Sequence, residues 1–183
     1  VDNRLRAGQT RQTEYATQSP GLPRVRIDVV LRLEVLDRIT QSSTQHYPLE
    51  AGGLLLGYRK DACIEIIDCT EPSGTDIATP TRFVRQDRHH QSYAFQKWST
   101  SGKRMDWIGE WHSHPSGSPD PSWIDLKSWR KIILRNDAPM VFVILGTKFP
   151  YFGIMPPGGT DPEKLTETAR NRTSLLLETN LSA

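Results

Sequence analysis

An α/β sandwich, in which helices flank a curved mixed sheet, is the fold class this sequence predicts. Three observations predict it. Short apolar strands alternate along the chain with segments of helical spacing. Met140–Leu145 is apolar at every position, as a strand covered on both faces must be. Leu126, Trp129 and Ile133 share one side of a helix that follows a strand ending in histidine. At 183 residues the chain can bury one sizeable core, so a single domain is expected.

The elements follow in order. Val1–Pro23 is polar, with Gly, Thr, Gln and Pro throughout, and reads as a flexible N-terminal tail; the domain is expected over residues 24–160. Val25–Leu31 alternates as a strand, and Leu33–Ser42 carries Leu33, Leu36 and Ile39 at helical spacing. Gly52–Tyr58 and Cys63–Cys69 form two strands joined by the turn Arg59-Lys60-Asp61, a hairpin. Glu71–Thr81, rich in Gly, Pro, Ser and Thr, is expected as a loop. Asp87–Ser99 reads as a helix ending near Gly102, Trp107–His112 as a strand, and Ser122–Arg135 as a helix. Met140–Leu145 pairs with Tyr151–Met155. The C-terminal segment, residues 161–183, is expected to be helical over Glu163–Thr179, with Leu175–Leu177 its one apolar cluster.

Composition removes several function classes. The net charge is +2 and no Lys/Arg run exceeds two residues, so a nucleic-acid groove is not expected. No apolar stretch approaches the ~18 residues that span a bilayer, and the N-terminus has no signal-peptide pattern. Cys63 and Cys69 stand about 20 Å apart if their segment is a strand, too far to bridge. They read as reduced cysteines of a cytoplasmic protein, neither ligands nor a redox pair.

One segment carries the chemistry. His112 to Asp125 reads H-S-H-P-S-G-S-P-D-P-S-W-I-D. In an extended strand residues i and i+2 face one side, roughly 6–7 Å apart, so His112 and His114 can converge on one ion. Pro115–Pro121 turns the chain, and Ser122 and Asp125, three apart at a helix start, share a side. Ser122-x-x-Asp125 is by itself an N-cap pattern, and cap and ligand are compatible roles. Three N/O ligands with a fourth position left to water describe a catalytic zinc. Upstream, Glu50 stands at the mouth of the apolar run Ala51–Gly57, where an unpaired buried carboxylate is costly. Beside a metal it has a use, as the group that takes a proton from water and passes it to a leaving amine.

Glu50, His112-Ser113-His114, the seven residues Pro115–Pro121, Ser122 and Asp125 together resemble the JAMM (JAB/MPN+) metalloprotease family, whose order of strands and helices extends over roughly residues 24–156. The resemblance implies the MPN/JAB, cytidine-deaminase-like three-layer sandwich. It implies Glu50 as general acid/base, and His112, His114 and Asp125 as ligands of Zn2+. It gives Ser122 a hydrogen bond to the tetrahedral intermediate or to the attacking water. It implies hydrolysis of isopeptide or peptide bonds after the C-terminal tail of a ubiquitin-like protein or conjugate.

The tract Glu50–Gly57, with Phe83-x-Arg85 ahead of a His-rich helix start, is similar to short bacterial JAMM proteins of cyclic-oligonucleotide antiphage systems. That likeness implies a ubiquitin-activating/conjugating-like enzyme as partner and a nucleotidyltransferase as target. By the same resemblance the region Glu71–Thr81 can order against a substrate tail as an added strand. His114-Pro115-Ser116-Gly117 is similar to the RadC branch, which leaves a DNA-associated protein as the alternative, beside a non-catalytic scaffold.

Other residues take plainer readings. His89 and His90 are adjacent on a helix and point apart, as surface or substrate-side residues. In a regular strand Trp107 and Trp111 share a face with Gly109, and Ile108, Glu110 and His112 share the other. Glu110 is thereby a candidate outer partner for an imidazole.

Overall fold

A computed structural model describes residues 26–179; the tail expected over Val1–Pro23 lies outside them. The elements run β1 (Asp28–Arg32), α1 (Leu33–His46), β2 (Gly52–Lys60), β3 (Cys63–Cys69), β4 (Ile77–Thr79), β5 (Arg82–Val84), α2 (Arg88–Thr100), β6 (Asp106–Ser113), α3 (Trp123–Ile133), β7 (Met140–Leu145), β8 (Pro150–Met155), β9 (Glu163–Arg170) and β10 (Ser174–Thr179). The first eight residues of β2 alternate only weakly in polarity, and positions Gly52–Gly57 are all buried, because both of its faces are covered. α3 starts where Ser122 caps it and Asp125 completes a reciprocal capping box.

The main sheet is mixed, as expected, but it closes on itself. Its order is β1-β10-β9-β8-β7-β6-β2-β3, and β1 completes the ring by pairing antiparallel with β10 and parallel with β3. An open three-layer sandwich is therefore not the arrangement found. The cause is the C-terminal segment, which is two strands and not a helix. Leu175 and Leu177 alternate inward on β10, with Leu165 beside them in the core. Asn171 makes the turn between β9 and β10: its Oδ1 accepts the backbone N–H of Thr173 and of Ser174. Because β9 pairs with β8, no boundary separates residues 24–160 from the strands that follow.

The core is layered by strand periodicity. Val141, Val143 and Leu145 of β7 point into the barrel, where α1 adds Val35 and Ile39. Met140, Phe142 and Ile144 point outward to α3, whose Trp129 stacks on Phe142 at 4.3 Å between ring centroids. Burying one such aromatic contributes roughly 1.5–3 kcal/mol. α2 lies outside β2 and β6, with Tyr93 and Ala94 against Leu54, Leu56 and Met105. Asp68 of β3 joins both flanking helices, accepting from Arg38 of α1 at 2.6 Å and from Lys97 of α2 at 2.7 Å.

Three expectations change at the level of side chains. The register between β2 and β6 slips at Leu55↔Gly109 and Leu56↔Trp107, leaving Ile108 as a bulge. Ile108 therefore joins Trp111 in the barrel core, and Trp107 turns outward with Glu110 and His112. His89 is exposed, but His90 is fully buried: Nε2 lies 2.7 Å from Asp76 Oδ2 and Nδ1 lies 2.6 Å from Thr70 Oγ1. Finally, the loop beginning at Glu71 ends in the β4–β5 hairpin. Cys63 and Cys69 are free, and burial pushes the Cys69 thiol up to about 12, which keeps it unreactive. Among the described residues no helix is long and apolar enough to cross a membrane.

Candidate metal centre and active-site cleft

β6 delivers His112 to the outer side of the sheet, and the chain leaving it brings His114 back over the same point. His114 is held there by two main-chain bonds: its N–H donates to Leu145 O at 2.8 Å, and its Nδ1 donates to Ser118 O at 2.8 Å. The second bond fixes the tautomer. With the proton on Nδ1, Nε2 presents a lone pair. That lone pair faces His112 Nε2 at 3.1 Å, and Asp125 supplies Oδ1 at 3.3 Å from His112 Nε2 and Oδ2 at 3.6 Å from His114 Nε2.

Ligands about 2.0–2.1 Å from a tetrahedral ion stand roughly 3.3 Å apart, so this triangle has the edge lengths of a metal site. Two imidazole acceptors and a carboxylate converging on one point are also the donor set that a divalent cation takes. Burial alone would raise Asp125, but the two histidines hold it far below the ordinary carboxylate range. His114 is raised, chiefly by Asp125 and against its burial.

Ser122 is the N-cap of α3. Its Oγ accepts the Asp125 N–H at 3.2 Å, and Asp125 Oδ2 accepts the Ser122 N–H at 2.7 Å. One carboxylate thus starts the helix and faces the histidines, so the cap and ligand patterns in the sequence coexist.

Glu50 stands two residues ahead of β2, the strand beside β6. Its N–H donates to Thr79 O at 2.9 Å, so the β4–β5 hairpin positions it. Burial pushes its carboxyl above the ordinary range, against the pull of His112 and His114 and of the Phe83 N–H. The ring of Phe83 lies on Gly52, where an added Cβ would come within 2.6 Å of it. A side chain there would push the hairpin away from Glu50.

Glu50, His112, His114, Ser122 and Asp125 all line one cleft of about 750 Å³, and none of the five expected site residues lies elsewhere. The cleft also holds features that the sequence did not announce. Glu110 pairs with Arg85 at the end of β5, not with an imidazole, and so ties the hairpin to β6. Ser113, between the histidines, is fully buried. The Ser118 carbonyl leaves no trace in residue type, because any residue could supply it.

Residues 32–155 match the family described as prokaryotic homologues of the JAB domain. The chain belongs to that family. This JAB chain is 35% identical over 126 residues to a CD-NTase/cGAS isopeptidase of Escherichia coli (strain TW11681), covering 68% of this chain and 80% of the relative. A protein of the same name from Vibrio cholerae serotype O1 is 33% identical over the same shares. "Probable metalloprotease y4qB" of Sinorhizobium fredii is 29% identical, over 61% of this chain and 72% of that protein. The solution structure of a Desulfitobacterium hafniense protein superposes with a TM-score of 0.56 at 23% identity, covering 74% of the JAB chain and 89% of that one. That likeness is one of fold.

Proposed function

We propose that this chain is a zinc-dependent isopeptidase or peptidase that cleaves after the C-terminal tail of a ubiquitin-like protein or its conjugate. The observation that carries the reading is the ligand triangle of His112, His114 and Asp125 in one cleft with Glu50. Relatives named isopeptidase and metalloprotease support the same class of reaction. The name of the E. coli and V. cholerae relatives, CD-NTase/cGAS isopeptidase, supports a nucleotidyltransferase conjugate as target, and the likeness of Glu50–Gly57 to bacterial antiphage JAMM proteins is the ground for placing the reaction in such a system.

His112, His114 and Asp125 would hold Zn2+, which would supply Lewis acidity to the carbonyl and to water at the site. Glu50 takes a proton from the attacking water as its oxygen bonds to the scissile carbon. Glu50 then passes that proton to the amine nitrogen as the C–N bond breaks. Ser122 Oγ accepts in the helix cap, which leaves its own hydrogen free to donate to the carbonyl oxygen as negative charge develops.

The tail is expected to arrive extended. The barrel strands each have a neighbour on both sides, whereas β4 and β5 pair only with each other, and β5 borders the cleft. An extended peptide adds there through main-chain bonds, with small residues next to the scissile bond. The test is incubation of the zinc-loaded protein with a modifier fused through its C-terminal glycine to a reporter. Cleavage at that junction, lost on chelation, is the expected result.

A further inference from the structure

The walls of the cleft carry an unbalanced charge. β6 forms its floor through Trp107, Glu110 and His112, and the hairpin forms one wall. α3 forms the other wall: it starts at the metal ligand Asp125 and runs back along β6 to reach β7, which is parallel to β6. The acids lining this space are Glu50, Asp125 and Glu110; the first two belong to the metal site, and Arg85 neutralises the third. The cations Arg82, on the hairpin, and Lys131 and Arg135, on and just beyond α3, have no acidic partner among the described residues. At 1.5 Å per residue Lys131 lies about 9 Å along the helix axis from Asp125, and Arg135 stands two residues past the helix end at Ile133, farther from the site. An extended peptide advances about 3.3 Å per residue.

We infer that the tail received by this cleft is acidic, with Asp or Glu about three to five residues from the scissile bond, where Arg82, Lys131 and Arg135 meet it. The inference rests on the isopeptidase reading and names the chemistry of its substrate. Exposed cations of this kind are individually weak and screened by salt, so the selectivity comes from several acting on one segment. The amine product leaves as a cation, which the same walls repel.

The experiment uses the zinc-loaded chain and three labelled peptides of equal length, alternating Gly with Glu, Gln or Lys, followed by fluorescence anisotropy. At low salt the Glu peptide is expected to bind about tenfold more tightly than the Gln peptide, the margin shrinking as salt rises. The K131Q/R135Q variant, with zinc content as in the parent, should lose that margin. Equal binding of the Glu and Gln peptides overturns the inference, as does a margin that survives in the variant. Tighter binding of duplex DNA than of the Glu peptide overturns it in favour of a nucleic-acid groove. Cleavage of a Gly-linked conjugate is scored separately: no cleavage with the acid preference intact sinks the isopeptidase reading alone, and cleavage without the preference sinks this inference alone.

Discussion

The hydroxyl of Ser113 accepts the backbone N–H of Ala51 at 2.9 Å, while the Ser113 N–H donates to Ala51 O at 2.8 Å. The residue between the two histidines is thus bonded twice to the residue after Glu50. Register between the strand that presents the acid/base candidate and the strand that presents the imidazoles is set by this pair. Ser113→Ala leaves the Ala51 N–H buried without its side-chain acceptor, a loss of about 1–3 kcal/mol. Thermal or urea unfolding measures it, and an unchanged midpoint would contradict the arrangement.

Metal content separates the ligands from the fold. The parent is expected to hold one zinc per chain, and His112→Ala to lose it. Asp125→Asn keeps an oxygen that can accept the Ser122 N–H, so the helix cap survives while the ligand charge is removed. Both variants should fold, by circular dichroism, with little zinc by elemental analysis. Full occupancy in both would dismiss the site.

Turnover tests the other two residues. Glu50→Ala should keep its zinc and lose roughly 10²–10⁴ in kcat, since only proton transfer is removed. For Ser122 the informative substitution is glycine, which costs an N-cap only a few tenths of a kcal/mol. A rate loss of about 10² in Ser122→Gly with near-parent stability assigns the hydroxyl to the reaction. Loss of stability without loss of rate would assign it to the helix alone.

The Arg85–Glu110 pair should govern substrate binding more than chemistry, because it tethers the hairpin to β6. Glu110→Gln is expected to raise KM several-fold with zinc unchanged, and the reversed pair R85E/E110R to recover part of it. The hairpin tip Pro80–Arg82 is the segment to replace when probing strand addition. Thr75–Thr79 is unsuitable, because it contains Asp76, whose carboxylate holds Gln86 N, Asp87 N and His90. Parent KM in a tip-replaced protein would remove the hairpin from substrate binding.

Acid should loosen the flanking helices through Asp68. Burial works to raise its carboxyl, but Lys97, Arg38 and Tyr93 bring it below its ordinary value of 3.8. A depressed folded value means that its contribution is complete above that ordinary value and is lost as pH falls through the lower folded one. Asp68→Asn should therefore cost about 1–3 kcal/mol at neutral pH and flatten the decline in stability below pH ~4. An identical pH profile in parent and variant is the contrary outcome.

What the sequence disclosed and what it hid divide along one physical line. His112, His114, Ser122 and Asp125 sit within one strand, one turn and one helix start, so local periodicity sufficed to bring them together. Glu50 came from chemistry, as an acid where burial makes it costly. The closed sheet depends on β1 meeting β10, a pairing that no local pattern encodes, and Glu163–Thr179 carries enough charge at three- and four-residue spacing to pass for a helix. Trp107 faces outward because of the bulge at Ile108, and a bulge has no signature in hydrophobic alternation. His90 is buried because Thr70 and Asp76 fold over it, which a helical wheel cannot show.

The ring closes where Val29 meets Leu177, near the two ends of the described chain. Such a join is slow to find, since nearly all of the described residues lie between the two strands and must be in place before the contact rewards the search. Until then β1 and β10 have unsatisfied edges, which invite pairing with other molecules. The candidate ligands His112, His114 and Asp125, by contrast, lie within one short stretch and can assemble early. An ion bound by these three residues would favour the arrangement of β6 and α3 that the rest of the barrel must adopt, and metal supply during synthesis would then bear on the yield of folded protein.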